Sequence, residues 1–416
     1  MRILKFEIEK VLKTKILWGL LIVFLAFNIL NIVNMSYMKN DVNLLNKIID
    51  KVGLEINDNS KQELKVFSEN ESLKAIEIIN RKTNSNFKTL EEALKILNDT
   101  SKFSQDELDY IFEASIIENY YLSIEGLETK YNKIDILSKA EETVAKLNLT
   151  GIDKKLYLEG NENFAKRLEE IKNNNENMTF FFNESSYGMH RNLFKDILEN
   201  IFVQGVIIVL ILTSFLYNYE FENNTSHLVY SCKKGRGEKE KLWASIICSI
   251  IFITILLVIP LSIFFTVFDY SRVFNSSIDS IFNWGSIWPH LSWYNLTVKE
   301  FLILNIGVIY IVNIMISIIT GIFSRKFKNT YITFFVFALF YGIIYLNPSI
   351  INFSFLLKTI ATFTPITLIH NIQFSFTLFS TVIPTKYFEI ITIILWIFIL
   401  TIGYKISSRK FKKEDI

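Results

Sequence analysis

The residues able to do chemistry are few and scattered. His190, His227, His290 and His370 fall in four different segments, none at the i, i+4 spacing and none beside a cysteine pair, so no metal site is expected from them. They read instead as polar surface or interface side chains. Cys232 lies in a charged loop and Cys248 in the apolar run that follows, which argues against a disulfide. No Gly-x-x-x-x-Gly-Lys-Ser/Thr phosphate loop and no Gly-x-Ser-x-Gly elbow occurs; Gly235-Arg-Gly237 is too short to cradle phosphates. The chain is therefore expected not to be an enzyme and to hold no cofactor of its own.

The one dense cluster of charge lies between two long apolar runs. Ile197–Asn218 carries only Glu199, and Leu242–Phe268 carries no charge; each is long enough to cross about 30 Å of hydrocarbon. Between them, Tyr219–Lys241 holds Lys233, Lys234, Arg236, Lys239 and Lys241 with His227 and four glutamates. An excess of Lys and Arg in so short a turn places it in the cytoplasm.

The rest of the chain follows from that turn. Half of its 416 residues are hydrophobic and 37 are Phe, too apolar for an ordinary soluble protein. Residues 1–15 form an amphipathic helix, with Ile3, Leu4, Ile8, Val11 and Leu12 on one face and Lys5, Glu9, Lys10 and Lys13 around the other. A first span over 16–38 follows; it is too long for a signal peptide and lacks a small-x-small cleavage site. Asn28, Asn31 and Asn34 recur every third residue on one broad face, which marks a helix–helix contact or, alternatively, a substrate-lining role.

Residues 39–195 change character, becoming charged, Asn-rich and nearly free of Gly and Pro. Ser60/Glu63, Thr89/Glu92 and Ser104/Glu107 read as capping boxes, so an all-helical domain is expected, placed outside the membrane by parity. Its Phe180, Phe181, Phe182 and Tyr187 read as core. Residues 196–416 form the main membrane part, with the charged loop 219–241 inside. The outer loop Asp269–Lys299 carries Trp284, Trp288 and Trp293, expected in the aromatic belt at the headgroups. Further spans are expected from Phe301 to Phe323, from Thr330 to Leu346 and from Tyr387 to Tyr404. Asn347–Lys386 is interrupted by Lys358, Pro365 and His370; a crossing there would put the basic tail outside, so re-entrant or interfacial pieces are preferred. The expected fold is an all-α polytopic membrane protein with six transmembrane helices, a large helical extracytoplasmic domain between helices 1 and 2, and both termini in the cytoplasm. No central part of a span carries a charged residue or histidine, which disfavours a proton- or ion-coupled carrier.

An amphipathic helix before the first span, a large outer domain, and a second span ending in Glu220 and Glu222 resemble the permease subunits of bacterial ABC-2 type exporters. Thr225, Leu228, Ser231, Gly235, Arg236 and Lys241 are similar to that family's threonine, short apolar helix, basic turn and lysine opening the third span; the usual Gly before the threonine is Asn224. The resemblance implies an elbow helix at the N-terminus and coupling of these residues to a separate ATPase subunit that binds ATP and Mg. It also implies pairing with a second permease in the plasma membrane lipid bilayer, no nucleic acid partner, and a hydrophobic or amphipathic cargo such as a peptide, antibiotic or lipid. The alternative is a membrane sensor or mechanotransmission protein relaying ATPase action to an extracytoplasmic partner.

Overall fold

The computed structural model describes residues 2–413 except 96–99, 184–188, 232–237, 281–290, 351–358, 361, 369–371 and 379–382. Its described residues are helical with no strand; three isolated bridges, Glu55–Thr179, Ser277–Thr297 and Ser292–Thr377, are the only extended pairings among them.

The N-terminal helix α1 (Arg2–Leu12) ends at Lys13–Thr14, and α2 (Lys15–Asn34) is apolar except for Lys15 and its three asparagines. The insert comprises α3 (Lys39–Val52), α4 (Asp58–Thr83), α5 (Leu90–Lys95), α6 (Gln105–Glu125), α7 (Leu127–Asn132), α8 (Ile136–Lys146) and α9 (Gly151–Asn173). Ser104 and Glu107 form the expected capping box, and Thr89 accepts from the Glu92 N–H at 3.3 Å. The expected Ser60/Glu63 box is displaced by one turn: Asn57 is the cap and Ser60 its reciprocal partner, because an Asn carboxamide accepts the third amide as well as a hydroxyl does.

The membrane part contains α10 (Met189–Glu222), α11 (Ser226–Ser231), α12 (Glu238–Val267), α13 (Val298–Phe327), α14 (Thr330–Ile350) and α15 (Phe388–Lys413). Five helices, α2, α10, α12, α13 and α15, are long and apolar enough to cross a membrane, and the shorter Thr330–Ile343 is apolar too. α10 starts seven residues before the expected boundary at 196 and passes through a π-helical turn at Leu193–Leu198, an irregularity that leaves no mark in the hydropathy. A Thr297/Glu300 capping box starts α13; the T-x-x-E pattern is visible in the sequence.

α10 is the hub. It packs on α2, α12, α13 and α14, and 72% of its most apolar window is buried, against 22% for α2 and 11% for α15. Close approach at two glycines makes this packing: a Cβ on Gly205 would lie 2.4 Å from Ile253 Cδ1, and one on Gly321 would lie 3.0 Å from the Tyr217 ring. Polar side chains tie the same seam. Asn28 donates to Gln204 at 2.7 Å, and Thr213, Ser317 and Ser245 share hydroxyl contacts of 3.1 and 3.0 Å.

One hydrophobic core runs from the membrane helices into the insert, including Phe164, Phe180, Phe181, Phe182 and Tyr120; a smaller one, Ala75 to Ala114, lies within α4, α5 and α6. The Phe triplet is core as expected, while Tyr187 lies outside the described residues. Trp293 corrects the aromatic-belt expectation: it is buried edge-on against Phe164 at 4.7 Å, because the described part of the loop around 291–293 packs on the insert. Trp284 and Trp288 lie outside the described residues.

Contacts sort the turns onto two faces of the bundle. α1, the 219–241 loop, Lys328–Thr330 and the end of α15 meet on one. The insert, the 269–297 loop, residues 372–378 and the start of α15 meet on the other.

Candidate functional site: a buried ion cluster at the loop 219–241

Glu220 sits in the last turn of α10, where the helix leaves the apolar core, and is 2% exposed. Three elements bring partners to it. Lys10 of α1 reaches Oε1 at 2.8 Å, Lys241 in the first turn of α12 makes a short contact with Oε2, and the Tyr230 hydroxyl of α11 donates to Oε2 at 3.2 Å. Lys241 also donates to the Leu216 carbonyl at 2.9 Å. Lys10 bridges to Glu7 at 3.1 Å and stands 4.8 Å from the Tyr219 ring centroid.

Two carboxylates and two ammonium groups make the cluster neutral, which is what permits four charges at a buried position. Burial opposes the charge on Lys10, but the hydrogen bond and charge of Glu220, with help from Glu7, outweigh it and raise the Lys10 ammonium above its ordinary range. Sequence periodicity set Lys10 on the outward face of α1; the structure corrects this, because α1 lies against α12 and α10 and turns Lys10 and the buried Glu7 toward Glu220. The i, i+3 pairing of Glu7 with Lys10 was the available signal.

The turn itself follows from Asn224. Its φ of 54° is left-handed, a conformation that Gly adopts freely and Asn tolerates best among the other residues. The chain then reverses, the Thr225 N–H bonds to the Glu220 carbonyl at 2.9 Å, and the Leu228 and Val229 amides bond to the Thr225 carbonyl. α11 buries Ser226 and Tyr230 and leaves Leu228 74% exposed, with His227 and Ser231 also outward. Glu222 takes a different role: its Oε1 accepts the Thr330 N–H at 2.8 Å and so closes the start of α14. Phe411 near the end of α15 packs on Tyr230 at 5.4 Å and on Phe221 at 6.4 Å.

Of the residues expected to act together, Glu220 and Lys241 are thus in one cluster, Thr225 shapes the turn, Leu228 and Ser231 lie on its outer side, and Glu222 is a helix cap. Gly235 and Arg236 lie outside the described residues, as do Cys232, His290 and His370. Asn28 is buried against Gln204, a helix–helix contact, while Asn31 is half-buried and Asn34 exposed. His190 is buried among Phe181, Phe182, Phe194 and Tyr270 rather than at a polar surface. No group of three His, Cys, Asp or Glu able to hold a metal occurs among the described residues.

No protein-family model, curated protein or solved structure matches the chain.

Proposed function

We propose that the chain is the six-span permease subunit of an ATP-driven exporter of the ABC-2 kind, taking mechanical work through α1 and the 219–241 loop from a separate ATPase. The observation that carries this is the Lys10–Glu220–Lys241–Tyr230 cluster. It fastens the amphipathic helix, the end of α10, the loop helix and the start of α12 into one block on the face that also holds the end of α15. Such a block can transmit a push to α10, the most buried of the five long apolar helices, without deforming itself. Asn224 in a left-handed turn stands where the resembled pattern has Gly, and α11 presents Leu228 outward as a contact for a partner. The cargo would be hydrophobic or amphipathic, the cytoplasm would lie on the α1 face, and ATP and Mg would bind in the partner.

The test is reconstitution in lipid with a candidate ATPase partner, comparing wild type with Leu228→Asp. The substitution adds charge at an exposed site and should leave the thermal midpoint unchanged while lowering stimulated ATP turnover and cargo movement several-fold. No stimulation of any such ATPase, or unaltered coupling in Leu228→Asp, would remove the loop from the mechanism. Stimulated turnover with no cargo crossing in any assay would favour mechanotransmission, a reading to which the continuous core between insert and membrane helices lends weight.

A further inference from the structure

On the opposite face, three charged side chains are packed where the insert meets the 269–297 loop. Arg167 of α9 makes a bidentate pair with Glu176 and lies 3.4 Å from Asp279, whose side chain is fully buried. Glu170 approaches Arg167 at 3.6 Å but is largely exposed and solvated. The Tyr131 hydroxyl donates to the Asp279 carbonyl, and Asn174 donates to Glu176. Among the described residues, the buried charges here are two carboxylates and one guanidinium. A buried net negative charge is costly, and the cheapest remedy is one proton.

The junction also reaches the last helix. Asp279 Oδ1 accepts the Ser292 N–H at 2.5 Å; Ser292 Oγ donates to the Phe376 carbonyl at 3.0 Å, as does the Trp293 N–H. The Phe376 N–H donates to Glu389 at the start of α15 at 2.6 Å. Phe376 has φ 62°, a left-handed conformation unfavourable for an aromatic residue, and these bonds hold it there. Around Glu389 stand Tyr294, Tyr387 and Lys386.

We propose that Arg167, Glu176 and Asp279 form a proton-binding clasp, which when protonated at Asp279 locks the insert, through Ser292 and Phe376, to the start of α15. On deprotonation the clasp loosens and frees that end of the helix. The two acids are driven apart. Burial, although opposed by the Ser292 N–H and Arg167, pushes the Asp279 carboxyl up to about 8. Burial also opposes the charge on Glu176, but the hydrogen bond from Arg167 prevails and holds that carboxyl below its ordinary range. Because the closed state binds the proton more tightly than an open one, closure is fully favoured below the ordinary carboxyl range and is weakened as pH rises to about 8. The inference holds whether or not an ATPase drives the chain.

The test is hydrogen exchange of the full chain in lipid nanodiscs, corrected for intrinsic rates, reading 160–168 and 388–392. One proton released between an ordinary carboxyl value near 4 and about 8 makes local opening about 50-fold more favourable at pH 8 than at pH 6. Asp279→Asn, which keeps the oxygen facing Ser292 and removes the charge, should stay protected at both pH values. Should that variant fail to fold, Glu176→Gln leaves Arg167 to Asp279 alone and should move the transition to lower pH. Equal wild-type protection at pH 6 and 8 would overturn the proposal, as would an unshifted transition in Glu176→Gln or a wild-type pH response in Asp279→Asn.

Discussion

Glu220→Leu should be the most damaging single change in the inner cluster, and the structure says by how much. It removes the carboxylate that Lys241 touches among the described residues and leaves that ammonium 7% exposed, with the Leu216 carbonyl at 2.9 Å and the Tyr230 hydroxyl at 3.5 Å as acceptors. Breaking one partner of a buried pair costs about 3–5 kcal/mol, whereas replacing the whole pair with apolar side chains is often neutral. Lys241→Leu should cost less, about 1–3 kcal/mol, because Glu220 keeps Lys10 at 2.8 Å and the Tyr230 hydroxyl. The double variant Glu220→Leu/Lys241→Leu should therefore be more stable than Glu220→Leu alone, with a coupling of about 2 kcal/mol or more. In a chain of this size that is on the order of several degrees in the midpoint of heat-induced loss of monodisperse protein in detergent. Strictly additive losses would refute the argument, since they would mean that Lys241 reaches water once Glu220 is gone and that the cluster is not a closed block.

Other outcomes follow from single positions. Asn224→Gly should be neutral or slightly stabilising in that heat assay and Asn224→Val destabilising by about 1–2 kcal/mol, because only the latter resists a φ of 54°. Gly205→Val should drive α10 off Ile253 and Asn313 at a cost of about 1–3 kcal/mol, read as a lowered midpoint with normal membrane insertion. Cysteines replacing Lys13 and Lys410, both exposed, should be labelled by an impermeant thiol reagent from one side of the membrane, and a cysteine at Ile152 from the other.

What the sequence discloses is what local pattern controls. The long uncharged runs specify α2, α10, α12 and α13, and Ser104/Glu107 specifies the start of α6, because span length and caps depend on neighbours in the chain. The two ion clusters are another matter. Lys10 and Glu220 are 210 residues apart, and Arg167 and Asp279 are 112 apart; neither pairing has a periodic signature. Trp293 misleads for the same reason: a tryptophan beside a span looks like an interface anchor until a distant Phe164 is known to cover it. Asn28 is the intermediate case, where spacing identifies a contact face but only the fold supplies Gln204.

The described contacts on either side of 351–358 fall on different faces of the bundle. α14 begins where its Thr330 N–H bonds to Glu222, on the face that holds α1, and runs away from it. The described residues between 372 and 386 make contacts on the other face: Trp293 and Leu378 bond across to Phe376 and Leu291, Tyr294 donates to the Lys386 carbonyl, and Pro384 lies so near Gly160 that a Cβ there would meet its carbonyl oxygen at 2.7 Å. α15 joins the two faces: its first turn holds Glu389 against Phe376, and its last turn sets Phe411 on Tyr230. At about 1.5 Å per residue its 26 residues span roughly 39 Å. One lightly buried rod is thereby pinned by the proton clasp at one end and by the Glu220 block at the other, so a force applied at either block has a direct mechanical path to the opposite face.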